Sequence, residues 1–215
     1  MTHNDPSLSY LVGKSQLIGR TVRLEPLTRN RLEDLRKSAK KTDSRWFSHN
    51  IEEDKGFDQY FEIAMENLEN HLEIPFIVIY MPTNQVIGST RYMDIRWEHK
   101  GLEIGNTWYE KAYWETAVNP ECKYLLLKNA FEEWQAIRVQ IKADTTNQRS
   151  IAAITKLGAR FEGILRNQKI RRDGSIRDTA MFSVTKEDWP DLKPRLEARI
   201  KALETRASIT TFPGT

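Results

Sequence analysis

The sequence has little of several things, and each shortage excludes a class of protein. One cysteine, Cys122, stands among 215 residues, so an intramolecular disulfide and a cysteine-cluster metal site are both excluded. The longest apolar run, 76–81, is far too short to span a bilayer, and the first ten residues contain no apolar signal core. We therefore expect a cytoplasmic protein without a membrane segment.

The sequence also has only a small excess of positive over negative charge. Lys and Arg exceed Asp and Glu by only three, which is not the excess of a protein that binds mainly through nucleic-acid phosphates. Nucleic acid is therefore not the expected partner. His49, His71 and His99 are isolated and match no metal-ligand spacing, so no metal site is predicted. Cys122 lies within the helical pattern, so it is expected to be a small residue packed against its neighbours.

The remaining composition is that of a globular protein, and its patterns favour one domain. No repeat, low-complexity segment or Pro-Gly-Ser linker divides the chain. We expect an extension over 1–18, a domain over 19–203 and a mobile tail over 204–215. Apolar alternation and helical stripes predict a strand, two helices, three antiparallel strands, a helix, a strand, a helix, two strands and a last helix.

Local signals mark some of the joints between these elements. Gly158 is expected to cap the helix that follows Asn147, and the Asp173-Gly174 pair is expected to turn the last hairpin. The most informative joint lies in 109–127, where an aromatic strand gives way to a helix. Asn119 suits the N-cap and Pro120 the first helical position. The helix is therefore predicted to begin at about 119.

The four residues before that helix, 115–118, could hold a phosphate although they include no glycine. Free N–H groups and the helix dipole favour an anion there. Residues with negative φ can still aim successive N–H groups at an anion, Thr116 and Ala117 are small, and Lys123 adds a cation. The other interpretation is an ordinary junction, because any strand-to-helix turn with an early proline has this pattern.

Three motifs carry a resemblance to a known family: "LEIGNTWYEKAYW", "AFEEWQAIRVQIKADTTNQRSIAAITKLGARFEG" and "RDGSIRDTAMFSVTKEDW". From Arg20 to about Trp189 the chain resembles the GCN5-related N-acetyltransferase (GNAT) superfamily, in the branch of the ribosomal-protein alanine N-acetyltransferases. The resemblance implies a single-domain α+β fold with a mixed, largely antiparallel sheet of seven strands and helices on both faces. It also implies a splay between "LEIGNTWY" and "VQIKAD".

The resemblance implies transfer of an acetyl group from acetyl-coenzyme A to a primary amine, by direct transfer in a ternary complex. The amine could belong to a protein N-terminus, an amino acid or a small molecule. The family's phosphate-binding junction normally carries glycines, and its last three positions here are Glu115, Thr116 and Ala117. The implied coenzyme contacts are Thr107, Trp108, Tyr109, Glu115, Thr116, Ala117, Val118, Asn119 and Asn147.

The resemblance also implies catalytic residues. Glu103 lies where related enzymes carry a glutamate proposed as the base, and alternation places it on the opposite face from Leu102 and Ile104. The other interpretation is a strand carboxylate paired with a lysine or arginine. The superfamily's thiolate-protonating tyrosine falls at Ile154 and is absent, so Ser150 or a water is the candidate donor. Ser150 could equally be a solvated helix-start residue.

Several alternatives stay open at this stage. A catalytically silent member of the fold, used as a coenzyme or partner sensor, would also fit, and a homodimer is possible. The acceptor is expected near 42–56 and the last hairpin, whose basic stretch 166–177 could contact an anionic acceptor, the coenzyme's phosphates or RNA, or could be a solvated turn. Aromatic residues could wall the acceptor pocket or belong to the core; they are Trp46, Phe47, Trp97, Trp108 and Trp114.

Overall fold

The computed structural model describes residues 16–210, with side chains from 16 to 206. Its strands are β1 (Leu17–Ile18), β2 (Val22–Pro26), β3 (Ile74–Tyr80), β4 (Gln85–Arg96), β5 (Gly101–Tyr109), β6 (Arg138–Asp144), β7 (Arg160–Ile170) and β8 (Ile176–Thr185). Its α-helices are α1 (Leu32–Ala39), α2 (Asp54–Glu69), α3 (Val118–Lys128), α4 (Gln148–Leu157) and α5 (Trp189–Thr210). A π-helical turn, Asn129–Glu133, continues α3.

All eight strands form one sheet in the order β1-β2-β3-β4-β5-β6-β8-β7. Every neighbouring pair is antiparallel except β5 and β6, which confirms the mixed, largely antiparallel sheet. The predicted count of seven strands is wrong by one. The additional strand is β1, whose Leu17 pairs with Leu24. Two residues are too short to show the alternation by which strands are recognised in a sequence.

Helices cover both faces of the sheet, as predicted, and each face has its own core. Side chains of α3, α4 and α5 pack on one face in the larger core, among them Leu126, Ile154 and Leu196. Side chains of α1 and α2 pack on the other face, among them Leu35 and Phe61. We call these the α3 face and the α1 face. The two faces are distinguished because residues on either face of the sheet could contact a ligand that lies between two strands.

The fork between β5 and β6 is the feature that positions the site. The two strands pair only from Gly101 to Glu103, although β6 pairs with β8 along its whole length. On β5 the register against β4 shifts so that two residues, Asn106 and Thr107, face the single residue Thr90. Such a bulge bends its strand, and this one lies on β5 just past the last residue that pairs with β6. The predicted splay is therefore confirmed.

The predicted joints can be compared with the structure one by one. Gly158 ends α4 in the left-handed conformation, with φ of 99°, and Gly174 turns the last hairpin with φ of 84°. Both assignments are confirmed. Helix α5 continues to Thr210, past the expected boundary at 203, and the domain limits themselves stay a prediction. Among the described residues, no helix combines the length and apolarity that crossing a membrane requires.

Candidate functional site

The junction before α3 departs from the prediction in its backbone. Glu115 has φ of 63°, in the left-handed region, whereas the sequence led us to expect negative φ throughout. Glycine adopts this conformation without penalty, but for other residues it costs roughly 1–2 kcal/mol. The chain therefore keeps the shape of a glycine-containing turn with a glutamate in it. The Glu115 side chain is exposed, so its carboxylate points to solvent.

The start of α3 also needs correction. The helix begins at Val118, with Ala117 as the N-cap residue, so Asn119 is not the N-cap and Pro120 is the third helical residue. The Thr116 hydroxyl replaces the expected cap: it accepts a hydrogen bond from the Val118 N–H at 3.3 Å and donates to the Tyr113 carbonyl at 2.7 Å. The Asn119 side chain instead accepts a hydrogen bond from the Tyr109 hydroxyl.

Replacing Glu115 with Gly tests this strained turn. We expect the free energy of unfolding to rise by about 1 kcal/mol, because relief of the left-handed strain exceeds the entropy that glycine adds to the unfolded chain. Affinity for acetyl-coenzyme A, measured by calorimetry, should change by less than about tenfold, or 1.4 kcal/mol. Glu115→Ala keeps the Cβ atom and removes the charge, so it separates the two effects. A hundredfold change in affinity in either variant would place the side chain on the coenzyme.

The β5 wall of the fork carries the residues expected to contact the coenzyme. The Trp108 indole donates to the Tyr60 hydroxyl at 3.1 Å on the α1 face. The Tyr109 carbonyl accepts hydrogen bonds from the Thr42 hydroxyl at 2.8 Å and from the Trp114 indole at 3.2 Å. This carbonyl is therefore already engaged within the protein. A coenzyme arm would have to use other backbone groups of the parted strands, and these contacts stay a prediction.

Lys123 lies in a different place from the one its sequence position indicated. It is 6% exposed and points from α3 under the sheet, where its ammonium donates to the Thr107 hydroxyl at 2.6 Å. Thr107 in turn hydrogen bonds Thr90 at 2.8 Å. No carboxylate within the described chain forms an ion pair with Lys123. Burial lowers the pKa of Lys123 to about 8, although the charge of Glu103 opposes this shift. A cation assigned to the phosphates thus lies beside the bulge of β5.

Glu103 lies at the last paired position of the fork. Its side chain is buried on the α1 face, opposite Leu102 and Ile104, as alternation predicted. Lys142 approaches its carboxylate to 2.6 Å, and the Gln140 amide donates to it at 3.3 Å. The carboxylate is thus paired with a lysine, which agrees with the interpretation of Glu103 as a strand carboxylate in an ion pair. It is also buried at the point where the two strands part, which is where a base would be needed.

The β6 wall of the fork ends in the start of α4. The Asn147 side chain accepts a hydrogen bond from the Ser150 N–H at 3.1 Å, so Asn147 is the N-cap of α4. The Ser150 side chain is partly exposed. The Arg149 guanidinium stacks over the Trp114 ring at 3.4 Å. This contact joins the start of α4 to the loop before α3, so it bridges the two sides of the fork.

A basic cleft opens on the α1 face beside Glu103. It is lined by the loop between α1 and α2 and by the end of the β7–β8 hairpin, the two regions in which the acceptor was expected; the lining residues are Arg45, Trp46, Phe47, Ser48, Asp144, Lys169, Ile170, Arg171, Arg172 and Arg177. Of the candidate wall aromatics, only Trp46 and Phe47 line it. Trp108 is buried in the core, Trp97 packs on Trp134, and Trp114 carries Arg149.

The sequence predicted Glu103, Asn147, the phosphate junction and the basic stretch that includes Arg177 as site residues, and it did not point to Lys142 or Asp144. Lys142 and Asp144 have no motif; the only available signal was alternation, which puts Gln140, Lys142 and Asp144 on one face of β6. Cys122 is fully buried as expected, and burial raises the pKa of its thiol to about 12. The described residues contain no cluster of three or more His, Cys, Asp or Glu that could hold a metal ion.

Comparison with known proteins agrees with this geometry. The model of the acetyltransferase (GNAT) domain matches residues 21–160. The uncharacterized N-acetyltransferase p20 of Bacillus licheniformis is 28% identical over 130 residues, 60% of this chain and 68% of that protein. A GCN5-related N-acetyltransferase from Brucella melitensis has a TM-score of 0.80 and 26% identity, covering 86% and 85% of the two chains. Ribosomal-protein-S5-alanine acetyltransferase from Vibrio fischeri shares the fold, with a TM-score of 0.65 and 16% identity, covering 82% and 99%.

Proposed function

The chain belongs to the GNAT family of acetyltransferases, and from this premise we propose that it moves an acetyl group from acetyl-coenzyme A to a primary amine by direct transfer in a ternary complex. Family membership makes it an acetyl-coenzyme A dependent acyltransferase. The observation that supports direct transfer to a primary amine is the fork between β5 and β6. The two strands part immediately after Glu103, and the buried carboxylate of Glu103 lies at the branch point. An acyl donor and an amine could meet there from opposite faces.

The residues present fit the coenzyme in two respects. Past Glu103 and Gln140 the facing edges of β5 and β6 are unpaired within the sheet, and buried backbone groups without strand partners favour an extended ligand arm. At the mouth of the fork, 115–118 has the left-handed turn and the helix start that orient N–H groups toward an anion. When bound there, the coenzyme supplies an acetyl thioester. Residues 107–109, 115–119 and Asn147 are the proposed contacts.

Glu103 is the proposed base. The amine nitrogen attacks the thioester carbonyl carbon, the carbon–sulfur bond breaks, and the sulfur takes the electron pair. The proton lost by the amine passes to the Glu103 carboxylate directly or through a water. Lys142 at 2.6 Å fixes the direction of that carboxylate. An α-amine, with an ordinary pKa of about 8, needs less help than a lysine amine at about 10.4.

Two side chains are candidates for protonating the departing sulfur. Ser150 lies in the first turn of α4 on the β6 side, and Lys123 reaches the bulge of β5 from α3. Lys123 can donate a proton near neutral pH, because burial lowers its pKa to about 8. Single Ser150→Ala and Lys123→Met variants separate them: loss of kcat with unchanged affinity for the coenzyme identifies the donor. If both variants keep the wild-type kcat, a water is the proton donor.

A catalytically silent member of the fold is the second candidate, and one contact favours it. The Arg149–Trp114 stack bridges the fork between α4 and the phosphate junction, so it would have to open for a coenzyme arm to pass beneath it. Calorimetry with acetyl-coenzyme A, combined with a thiol-release assay on a panel of amines, tests both functions. Binding with turnover supports the transferase. Binding without turnover on any amine would favour the silent member.

A further inference from the structure

The basic cleft beside Glu103 has an excess of positive charge that its own residues do not neutralise. One carboxylate, Asp144, faces five cationic side chains: Arg45, Lys169, Arg171, Arg172 and Arg177. Arg45 has its own partner outside the cleft lining, Asp43, at 3.0 Å. Of the lining residues, Asp144 is the one carboxylate near the remaining four cations, and the charges of Asp173 and Asp178 also act on Arg171, as that of Glu103 does on Arg177. Such a cleft attracts an anion and repels a polycation.

Asp144 is already fully engaged by its neighbours. It accepts hydrogen bonds from Arg171 at 2.6 and 2.9 Å, and from the hydroxyl and N–H of Thr146 at 2.6 and 2.9 Å. Burial raises the pKa of this carboxyl, but the hydrogen bonds from Arg171 and Thr146 outweigh that effect and hold the pKa well below its usual range. Asp144 thus stays charged, and Arg171 is the cation that it neutralises.

Arg177 is the largely enclosed cation of the cleft, and its ion-pair partner, Asp144, is already engaged by Arg171. Its side chain is only 18% exposed, and its Nε atom lies 3.8 Å from Asp144 while donating to the Thr179 hydroxyl at 3.1 Å. Within residues 16–206 its two terminal nitrogens donate no hydrogen bond. Burial lowers the pKa of Arg177, and the charge of Asp144 only partly opposes this. A largely enclosed guanidinium with free donors is suited to bind a carboxylate or phosphate in two-point fashion.

The distance from Arg177 to the branch point limits the ligand. Lys142, which holds Glu103, and Asp144, beside Arg177, are alternate residues of β6 on one face, about 7 Å apart along the strand. An amine at Glu103 and an anion at Arg177 would be separated by roughly 7–10 Å. This span corresponds to several covalent bonds, as in a short peptide or a phosphorylated amino sugar.

Resting on the proposed acetyl transfer, we propose that the acceptor is an anionic amine: a primary amine at Glu103 whose carboxylate or phosphate, several bonds away, binds Arg177. The aromatic wall of Trp46 and Phe47 would pack against the connecting atoms. Polyamines and aminoglycosides, which are polycations, are poor acceptors by the same charge argument. The shared chemistry is an amine with a remote anion, whether the anion belongs to a peptide or to a sugar phosphate.

Matched pairs of acceptors test the inference. Alanyl-aspartyl amide is compared with alanyl-asparaginyl amide, and glucosamine 6-phosphate with glucosamine, with spermidine as the polycation. The full-length protein should give at least about tenfold higher kcat/KM for the anionic member of one pair, equivalent to 1.4 kcal/mol. The pair that shows the preference identifies the source of the anion. Raising the salt concentration should reduce the preference.

Variants of the cleft decide whether Arg177 is responsible. Arg177→Met should lower kcat/KM for the preferred anionic acceptor by about tenfold or more and leave its neutral counterpart within about twofold. Arg177→Lys should restore part of the loss. Arg195→Gln, an exposed position on α5 across the sheet, serves as the control and should leave both acceptors unchanged. Circular dichroism checks that each variant is folded.

The outcomes separate this inference from the proposed function. Turnover of neutral amines or spermidine at least as fast as of anionic ones would overturn the anionic acceptor and leave acetyl transfer standing. Equal loss for charged and neutral acceptors in Arg177→Met would overturn the role of Arg177. Absence of transfer to every amine, despite bound acetyl-coenzyme A, would overturn the proposed function and the inference with it.

Discussion

Glu103→Gln is expected to lower kcat by about a hundredfold or more, within the range of 10²–10⁴ that a positioned general base contributes. The Michaelis constant for acetyl-coenzyme A should stay nearly unchanged, because the proposed role is proton removal and not coenzyme binding. Gln keeps the size of the side chain. Its amide oxygen can still accept a hydrogen bond from Lys142, whose ammonium lies 2.6 Å from the Glu103 carboxylate in the wild type. Steady-state kinetics with both substrates varied measures the two effects separately.

The pH dependence is the sharper readout of the same variant. If Glu103 takes the proton directly or through a water, the wild-type pH–rate profile should have an acidic limb that depends on this side chain. The Gln variant should lose this acidic limb, and a lysine acceptor should suffer more than an α-amine. An unaltered profile would leave the acceptor's own ionisation as the only titration. Glu103 would then be a structural carboxylate for Lys142.

The ion pair requires a control, because removing one charge leaves the other partly buried. Lys142 is 20% exposed in its side chain, so Glu103→Gln also destabilises the fold by leaving this cation unpaired. The double variant Glu103→Gln, Lys142→Met removes both charges and should recover the lost stability, measured by urea unfolding. Its kcat should stay low. Recovery of activity together with stability would show that the single variant failed for a structural reason.

The sequence predicted most elements because their patterns are local. The predicted strand "LEIGNTWY" lies within β5, Gly101–Tyr109, and Gly158 and Gly174 adopt the conformations that their positions indicated. The exception is Glu115. A left-handed residue can be predicted from sequence when it is glycine, but a glutamate at that place indicates the opposite. The turn therefore has a left-handed residue although it contains no glycine.

The charged residues of the site could not be found in the same way, because their roles depend on contacts between distant segments. The sequence predicts that Lys123 adds a cation to the phosphate junction, whereas in the structure its side chain is buried and donates to Thr107 of β5. Arg177 belonged to a stretch that could have been a solvated turn. Its enclosure depends on how the hairpin meets the loop between α1 and α2, which no periodicity records.

Lys123→Met should make the protein more stable at neutral pH, by about 3 kcal/mol in the free energy of unfolding. The pKa of Lys123 is lowered from its ordinary value near 10.4 to about 8 when the chain folds. Below pH 8 the folded protein must therefore hold a buried charge that the unfolded chain keeps in water. Methionine has a similar shape and no charge, so the variant avoids this cost and loses only the hydrogen bond to Thr107.

The sign of the pH dependence follows from the same shift. Between about pH 8 and 10.4 the unfolded chain binds more protons at this residue than the folded chain, so the wild type gains stability relative to the variant as pH rises. The difference between the two proteins should shrink to about 1 kcal/mol near pH 9.5. Urea unfolding at pH 7 and 9.5 measures it. Lys128→Met, at an exposed position on the same helix, is the matched control and should change little at either pH.

If Lys123→Met is more stable but less active than the wild type, the buried lysine at the fork has a catalytic role that offsets its cost in stability. If Lys123 protonates the departing sulfur, the Met variant should be the more stable protein and the slower enzyme, as happens when a catalytic group is held in an unfavourable environment. A variant that is less stable at both pH values would mean that the hydrogen bond to Thr107 outweighs the cost of burial. A stabilised variant with full turnover would leave Lys123 without a catalytic role and Ser150 or a water as the donor.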